Sequence, residues 1–244
     1  MSWSKNTIGN LEPYLKPFVA SCSQQIRPRV ALEFKSWLAH LRACPHCHSW
    51  LGKTDLFCAS CWEFVLANRL WKKIDEYRLD ITSLFCWREG DEIISELIYS
   101  LKGGGLKEAN ERLARWILAS VEPKDLVGVT FVPAPARELG QRDHASMLAK
   151  SLSDLSCRPL VGALQRIDID TQKHLSRSDR LMSKLDLSGA MSVEEANKQS
   201  IIFIDDVVTT GATAQAAYLA MGRPKNFKVW ALAYRPRLAW AAPL

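Results

Sequence analysis

The chain has 244 residues, of which 48% are hydrophobic and 24% charged, and a formal net charge of +6. That length allows one large domain or a small module joined to one, and the composition excludes a fibrous or disordered chain. No apolar run approaches the roughly 18 residues of a membrane span. The first residues lack the apolar core of a secretory signal, and seven cysteines, an odd number, fit poorly with a complete disulfide framework. A cytoplasmic protein without membrane contact is the expectation.

The charge is uneven. Residues 1–42 carry +4 and residues 221–244 carry +5, which leaves the centre at −3. Neither end holds a dense Lys/Arg run, so solubility explains the excess first, and a weak, salt-sensitive surface for nucleic acid or a surface for an acidic partner second.

In chain order, residues 1–42 place Leu32, Trp37, Leu38 and Leu41 in a loose helical pattern, read as an N-terminal helical extension. Residues 43–62 form a cysteine module. Residues 63–125 read as a helical connector, with mixed aromatic and basic residues to about Asp80. In "DEIISELIYSL" the residues Ile93, Ile94, Leu97, Ile98 and Leu101 fall on one helical face, and "KGGG" breaks that helix. A second helix then carries Leu106, Ala109, Leu113, Ile117 and Leu118. Residues 126–244 alternate short apolar runs with helical stretches. Strands are expected at 126–133, 158–164, 201–205 and 227–235, and helices at 138–155 and 212–221. Strands that are apolar almost throughout imply a parallel sheet covered by helices on both faces. The polar segment 165–200 reads as a loop or hairpin.

The cysteine module reads "CPHCHSWLGKTDLFCASC". Cys44 and Cys47 form one C-x-x-C pair, Cys58 and Cys61 another, with ten residues between. Each pair turns two sulfurs toward one point, and the loop brings the pairs together as a tetrahedral S4 site, the structural geometry of Zn²⁺. A redox motif would come as a single pair beside a βαβ pattern; here two pairs precede the sheet. His46 and His48 are alternative ligands by type, but four thiolates already fill the shell, and a filled shell argues for a structural rather than catalytic metal. Binding is expected to fold this short segment and to leave the sheet domain with a separate core. Cys22, Cys86 and Cys157 read as ordinary thiols.

The stretch "IIFIDDVVTTGAT" carries the second motif. An apolar strand runs into Asp205 and Asp206, at the end where parallel sheets bind ligands. Two carboxylates suit vicinal hydroxyls, as on ribose, or a ligand that brings Mg²⁺. Thr209, Thr210, Gly211 and Thr213 then open a helix whose amide groups and dipole favour a phosphate. Gly211 lets the backbone close around it. Asp-Asp after an apolar strand also resembles a Walker B segment, but no G-x-x-x-x-G-K-[ST] loop accompanies it.

"FIDDVVTTGAT" resembles the phosphoribosyl-diphosphate (PRPP) motif of type I phosphoribosyltransferases. Together with the four cysteines, the chain resembles the ComF family, which joins a zinc finger to a phosphoribosyltransferase-like domain and is known for roles in DNA uptake (competence). "FVPAPARELGQRDHASMLA" resembles its Val-Pro-x-Pro segment. "LQRIDIDTQKHLSRSDR" resembles a further stretch at Arg166, Gln172, Leu175 and Arg180. The resemblance implies a parallel sheet flanked by helices after the zinc finger. It assigns PRPP binding to Asp205, Asp206, Val207, Thr209, Thr210, Gly211 and Thr213, with Mg²⁺. Arg137, the only cation directly after Pro135, falls on the pyrophosphate side, beside the negative Glu138; Asp143 and His144 stand where the family has Asn-Gln. No general acid or base is identified, His144 and His174 being candidates by type alone. Three functions follow: phosphoribosyl transfer to a nitrogenous acceptor, with the loop near 165–190 closing over the site; a non-catalytic adaptor docking a DNA-translocating helicase; and a direct single-stranded DNA binder using the basic ends and tryptophans.

Overall fold

Strand positions follow from short runs of β-branched and aromatic residues that can be covered on both sides. The computed structural model describes residues 44–49, 51, 56–75, 78–88, 90–104, 107–136, 144–167 and 185–236. The described elements run in the order α1 (Ala59–Ala67), β1 (Lys72–Ile74), β2 (Asp80–Cys86), α2 (Glu92–Gly104), α3 (Lys107–Ala119), β3 (Val129–Pro133), α4 (His144–Ser156), β4 (Leu164–Arg166), β5 (Leu185–Leu187), α5 (Val193–Lys198), β6 (Ser200–Val208), α6 (Ala212–Ala220) and β7 (Phe227–Tyr234). The sheet order is β1-β2-β7-β6-β3. β2, β7, β6 and β3 are mutually parallel, and β1 closes the edge antiparallel to β2.

Two apolar layers cover the sheet. On one face Ile202, Ile204, Trp230 and Leu232 meet Ile94 and Leu97 of α2, Leu113 of α3 and Leu152 of α4. On the other, Ile201, Phe203, Val229 and Ala231 meet Ala214 and Ala217 of α6, Ala196 of α5 and Leu185 of the β4–β5 hairpin. The expected α/β architecture, a mostly parallel sheet flanked by helices behind a four-cysteine cluster, is what the chain forms.

Several local expectations are corrected. Residues 63–125 are more than a helical connector: α1 stops at Ala67, and β1 and β2 follow and join the main sheet. The run 158–164 contributes a single bridge, Leu160 to Phe131, at the outer edge of β3. Segment 165–200 does take part in a hairpin as expected, holding β5 and most of β4, and the addition there is α5; residues 168–184 lie outside the described part. The N-terminal extension also lies outside it. The knuckle and the sheet do not have separate cores: Cys44, Leu56, Phe57, Cys61 and Trp62 belong to the cluster that holds Leu97, Ile117 and Trp230.

β6 does not end at the aspartates but continues to Val208. Its pairing with β7 nevertheless skips one row: Asp205 pairs with Ala231 and Val207 with Ala233, and Asp206 is passed over. β2 skips the same row, Ser83 pairing with Ala231 and Phe85 with Ala233. Beyond the gap the faces change phase. Leu84 and Phe85, and likewise Leu232 and Ala233, are sequence neighbours that pack into the same layer, where strict alternation would separate them. Val207 joins that layer too. Three adjacent strands therefore share one crease, and because all three carry it, their register is unchanged.

Among the described residues no helix is long and apolar enough to cross a membrane.

Candidate metal centre and candidate ligand crevice

The four cysteines converge. Their Sγ atoms all lie within 4.8 Å of one another, and Cys47 Sγ stands 3.5 Å from Cys58 Sγ. A tetrahedral zinc with bonds of about 2.3 Å sets its sulfurs about 3.8 Å apart, so the quartet fits a metal ion such as zinc. Two backbone devices position it. Cys44 and Cys47 sit on a turn in which the His48 N–H donates to the Cys44 carbonyl at 2.8 Å, with His48 at φ 60°. Cys58 caps α1 and Cys61 lies in its first turn, a spacing that puts both sulfurs on one side of the helix.

Charge within the quartet is unequal. Burial pushes the Cys44 and Cys61 thiols up. Burial also acts to raise Cys47, but hydrogen bonds from Ser49, Cys58 and Cys61 outweigh it and hold that thiol at about 6. One thiolate is thus already favoured among sulfurs that share protons, and an incoming cation would displace the rest.

Trp62, next to Cys61, carries the knuckle into the core. Its ring packs edge-on against Phe57 at 5.3 Å and Trp116 of α3 at 5.5 Å, and the Arg112 guanidinium stacks 4.7 Å from its centroid. No sequence periodicity flagged this contact, because it joins the knuckle to a helix about fifty residues later.

The second site lies at the carboxyl ends of the parallel strands. The chain leaves β3 through α4 over one face and leaves β6 through α6 over the other. Adjacent strands whose exits diverge in this way open a crevice at the switch point. Its two lips are the segment after β3, Ala134–Ala136, and the segment 205–213. The lips are in register: Pro133 pairs with Ile204, and the Ala134 N–H donates to the Ile204 carbonyl at 2.8 Å.

Asp205 is 8% exposed and Asp206 half-buried, both in the creased part of β6. Asp205 Oδ1 accepts from the Asp206 N–H at 2.9 Å, and Asp206 Oδ1 accepts from the Val207 N–H at 2.7 Å. The carboxylates thereby serve the backbone at the point where ladder pairing lapses. Val207 is half-buried, Thr209 and Thr210 are exposed, and Thr213 is half-buried in the first turn of α6. Gly211 is the N-cap of α6 at φ 69°, ψ 6°, the left-handed conformation that glycine adopts without strain. The Thr210 hydroxyl accepts from the Ala212 N–H at 3.2 Å, so it steadies the turn as well as offering a donor outward.

The far wall of this edge is aromatic. The Trp87 N–H donates to the Tyr234 carbonyl and the Arg235 N–H to the Val208 carbonyl, which binds three strand ends together, and the Arg235 guanidinium stacks 4.6 Å from the Trp87 ring centre. On the near side, Arg166 of β4 donates from Nε to the carbonyls of Pro135 and Ala136, at 3.1 Å each.

The cysteine quartet is thus brought together as the spacing implied, and the run 205–213 spans the end of β6 and the start of α6. His144 opens α4. Arg137, Glu138, Asp143 and His174 lie outside the described residues. No family model and no curated protein matches the chain.

Proposed function

We propose that this is a ComF-like protein whose phosphoribosyltransferase-like domain binds PRPP or a related ribose 5-phosphate ligand with Mg²⁺, carries a structural zinc, and serves DNA uptake or processing. The observation that carries the ligand reading is the crevice: paired carboxylates at a switch point, followed within five residues by a left-handed glycine that opens a helix. Carboxylates accept from sugar hydroxyls, and helix-start amides with threonine hydroxyls donate to a phosphate. In a transferase these groups would hold the ribose while the bond from its C1 to diphosphate breaks and one to an acceptor nitrogen forms. Positioning and charge would then supply most of the catalysis.

Isothermal titration of wild type and of the Asp205→Asn/Asp206→Asn variant with ribose 5-phosphate and Mg²⁺-PRPP tests the reading. Wild type is expected to bind both. The variant keeps the shape but loses two charge-assisted acceptors, so its affinity is expected to fall at least about tenfold. Absence of binding by wild type at millimolar ligand defeats the ligand reading. Pyrophosphate release from PRPP over a panel of bases then separates an enzyme from a non-catalytic sensor.

A further inference from the structure

The phosphate loop and the aspartates account for only part of a PRPP-like ligand. A ribose held by its hydroxyls at Asp205–Asp206 and by its 5-phosphate at Thr209–Thr213 projects its C1 substituent away from that loop. At the switch point the neighbouring lip is the segment after β3. In sequence that segment offers little positive charge, with Arg137 followed at once by Glu138. The fold brings another cation to it. Arg166, thirty residues later, reaches back from β4 and donates from Nε to the carbonyls of both Pro135 and Ala136, at 3.1 Å each. Those two bonds share one of the five N–H groups of a guanidinium.

Resting on the ligand reading above, we infer that Arg166 is the residue that selects a diphosphate at C1: it pins the β3 lip and sets a fixed positive charge beside it. Three observations carry this. Ala134 is hydrogen-bonded to Ile204, the residue before Asp205, so the lip adjoins the aspartates directly. One strand spacing of about 4.8 Å, one residue of chain and one hydrogen bond put the guanidinium within roughly 12 Å of the aspartate backbone, a span that a diphosphate on ribose bridges. Arg166 is half-buried in a hairpin whose partner strand carries Leu185 into the core, so its charge is held rather than waving in solvent. A planar guanidinium matches diphosphate oxygens in a way that a lysine ammonium does only as a point charge. A ligand without the diphosphate does not reach this lip.

The test titrates three probes, Mg²⁺-PRPP, ribose 5-phosphate and inorganic pyrophosphate with Mg²⁺, into wild type, Arg166→Ala and Arg166→Lys. Circular dichroism and thermal midpoints establish that each variant is folded. Arg166→Ala is expected to weaken PRPP and pyrophosphate at least about tenfold, the worth of a charged hydrogen bond, while ribose 5-phosphate stays within about twofold. Arg166→Lys is expected to recover part of the loss. Equal weakening of all three probes marks Arg166 as merely structural and overturns the inference. Unchanged PRPP affinity in Arg166→Ala overturns it as well. If wild type binds ribose 5-phosphate but neither diphosphate probe, the inference fails while the sugar-phosphate pocket stands. If wild type binds none of the three, the ligand reading itself fails, and the inference with it.

Discussion

The cysteine knuckle and the strand-end crevice are built on opposite plans. The knuckle is closed: four like atoms from eighteen residues of chain point at one another, and its neighbour Trp62 is buried between Phe57 and Trp116. The crevice is open: its lips come from segments about seventy residues apart, Thr209 and Thr210 are exposed, and a hairpin arginine completes one wall. A closed site spends its chemistry on holding the chain; an open one leaves donors and acceptors for something else. Yet the two are not independent, because the knuckle shares one apolar layer with α2, α3, α4 and a face of the sheet.

The largest expected effect tests that sharing. Removing metal with a chelator, or replacing Cys58 by Ser, should destabilise the whole α/β unit. The loss should reach about 4 kcal/mol or more, the contribution of a ligand held at a thousand times its Kd. Thermal unfolding followed by far-UV circular dichroism and by tryptophan fluorescence should give one transition that moves down with both probes. Two transitions, with that of the sheet unmoved, would restore the picture of separate cores.

A smaller effect should stay at the crevice. Gly211→Ala puts a side chain on a residue at φ 69°, at a cost of roughly 1–2 kcal/mol. Ribose 5-phosphate affinity should fall while metal content per chain, measured by mass spectrometry, is unchanged. A loss of metal would show that strain travels further than the shared layer implies.

The smallest effect belongs to neither region. Ser192 and Glu195 close a capping box at the start of α5: the Glu195 N–H donates to the Ser192 hydroxyl, and the Ser192 N–H donates to the Glu195 carboxylate at 2.7 Å. Those hydrogen bonds from Ser192 hold the Glu195 carboxyl below its ordinary value. A lowered folded pKa stabilises above the ordinary glutamate range and is lost as pH falls through the lowered value. Ser192→Ala should therefore lower stability slightly near neutral pH. That difference should shrink below about pH 4, as read from urea midpoints at several pH values. Neither metal content nor ligand affinity should change.

What could be read in the sequence divides along the same line. The knuckle was legible because its cysteines are two identical short pairs, and the run 205–213 because its residues are contiguous. The helices α2 and α3 were legible from apolar periodicity, and α6 from its place after the strand and the Thr-Thr-Gly turn. β1 and β2 were not. Asn68 ends α1 by folding its own side chain onto the Phe64 carbonyl, and Trp71 follows at φ 40°, neither of which an aromatic and basic stretch announces. In "DITSLFC" a buried serine and two adjacent inward residues hide the strand period. Arg166 was visible only through a resemblance. What it does depends on a contact thirty residues back along the chain, and no local pattern encodes that.

The crease across β2, β7 and β6 also constrains how this sheet can change length. Asp205 pairs with Ala231 and Val207 with Ala233, so the loss of Asp206 alone would pull Val207 one step out of register. Residues beyond it would swap faces, and the Thr209–Thr213 turn would retract by about 3.3 Å. The register is recovered only if Leu232 and Leu84, the residues passed over in the neighbouring strands, are deleted with it. Single-codon deletions at this row should therefore each break the ladder in a scan across the three strands, and only the trio should restore its register, which makes the reach of the Thr209–Thr213 turn a property that three distant codons hold in common.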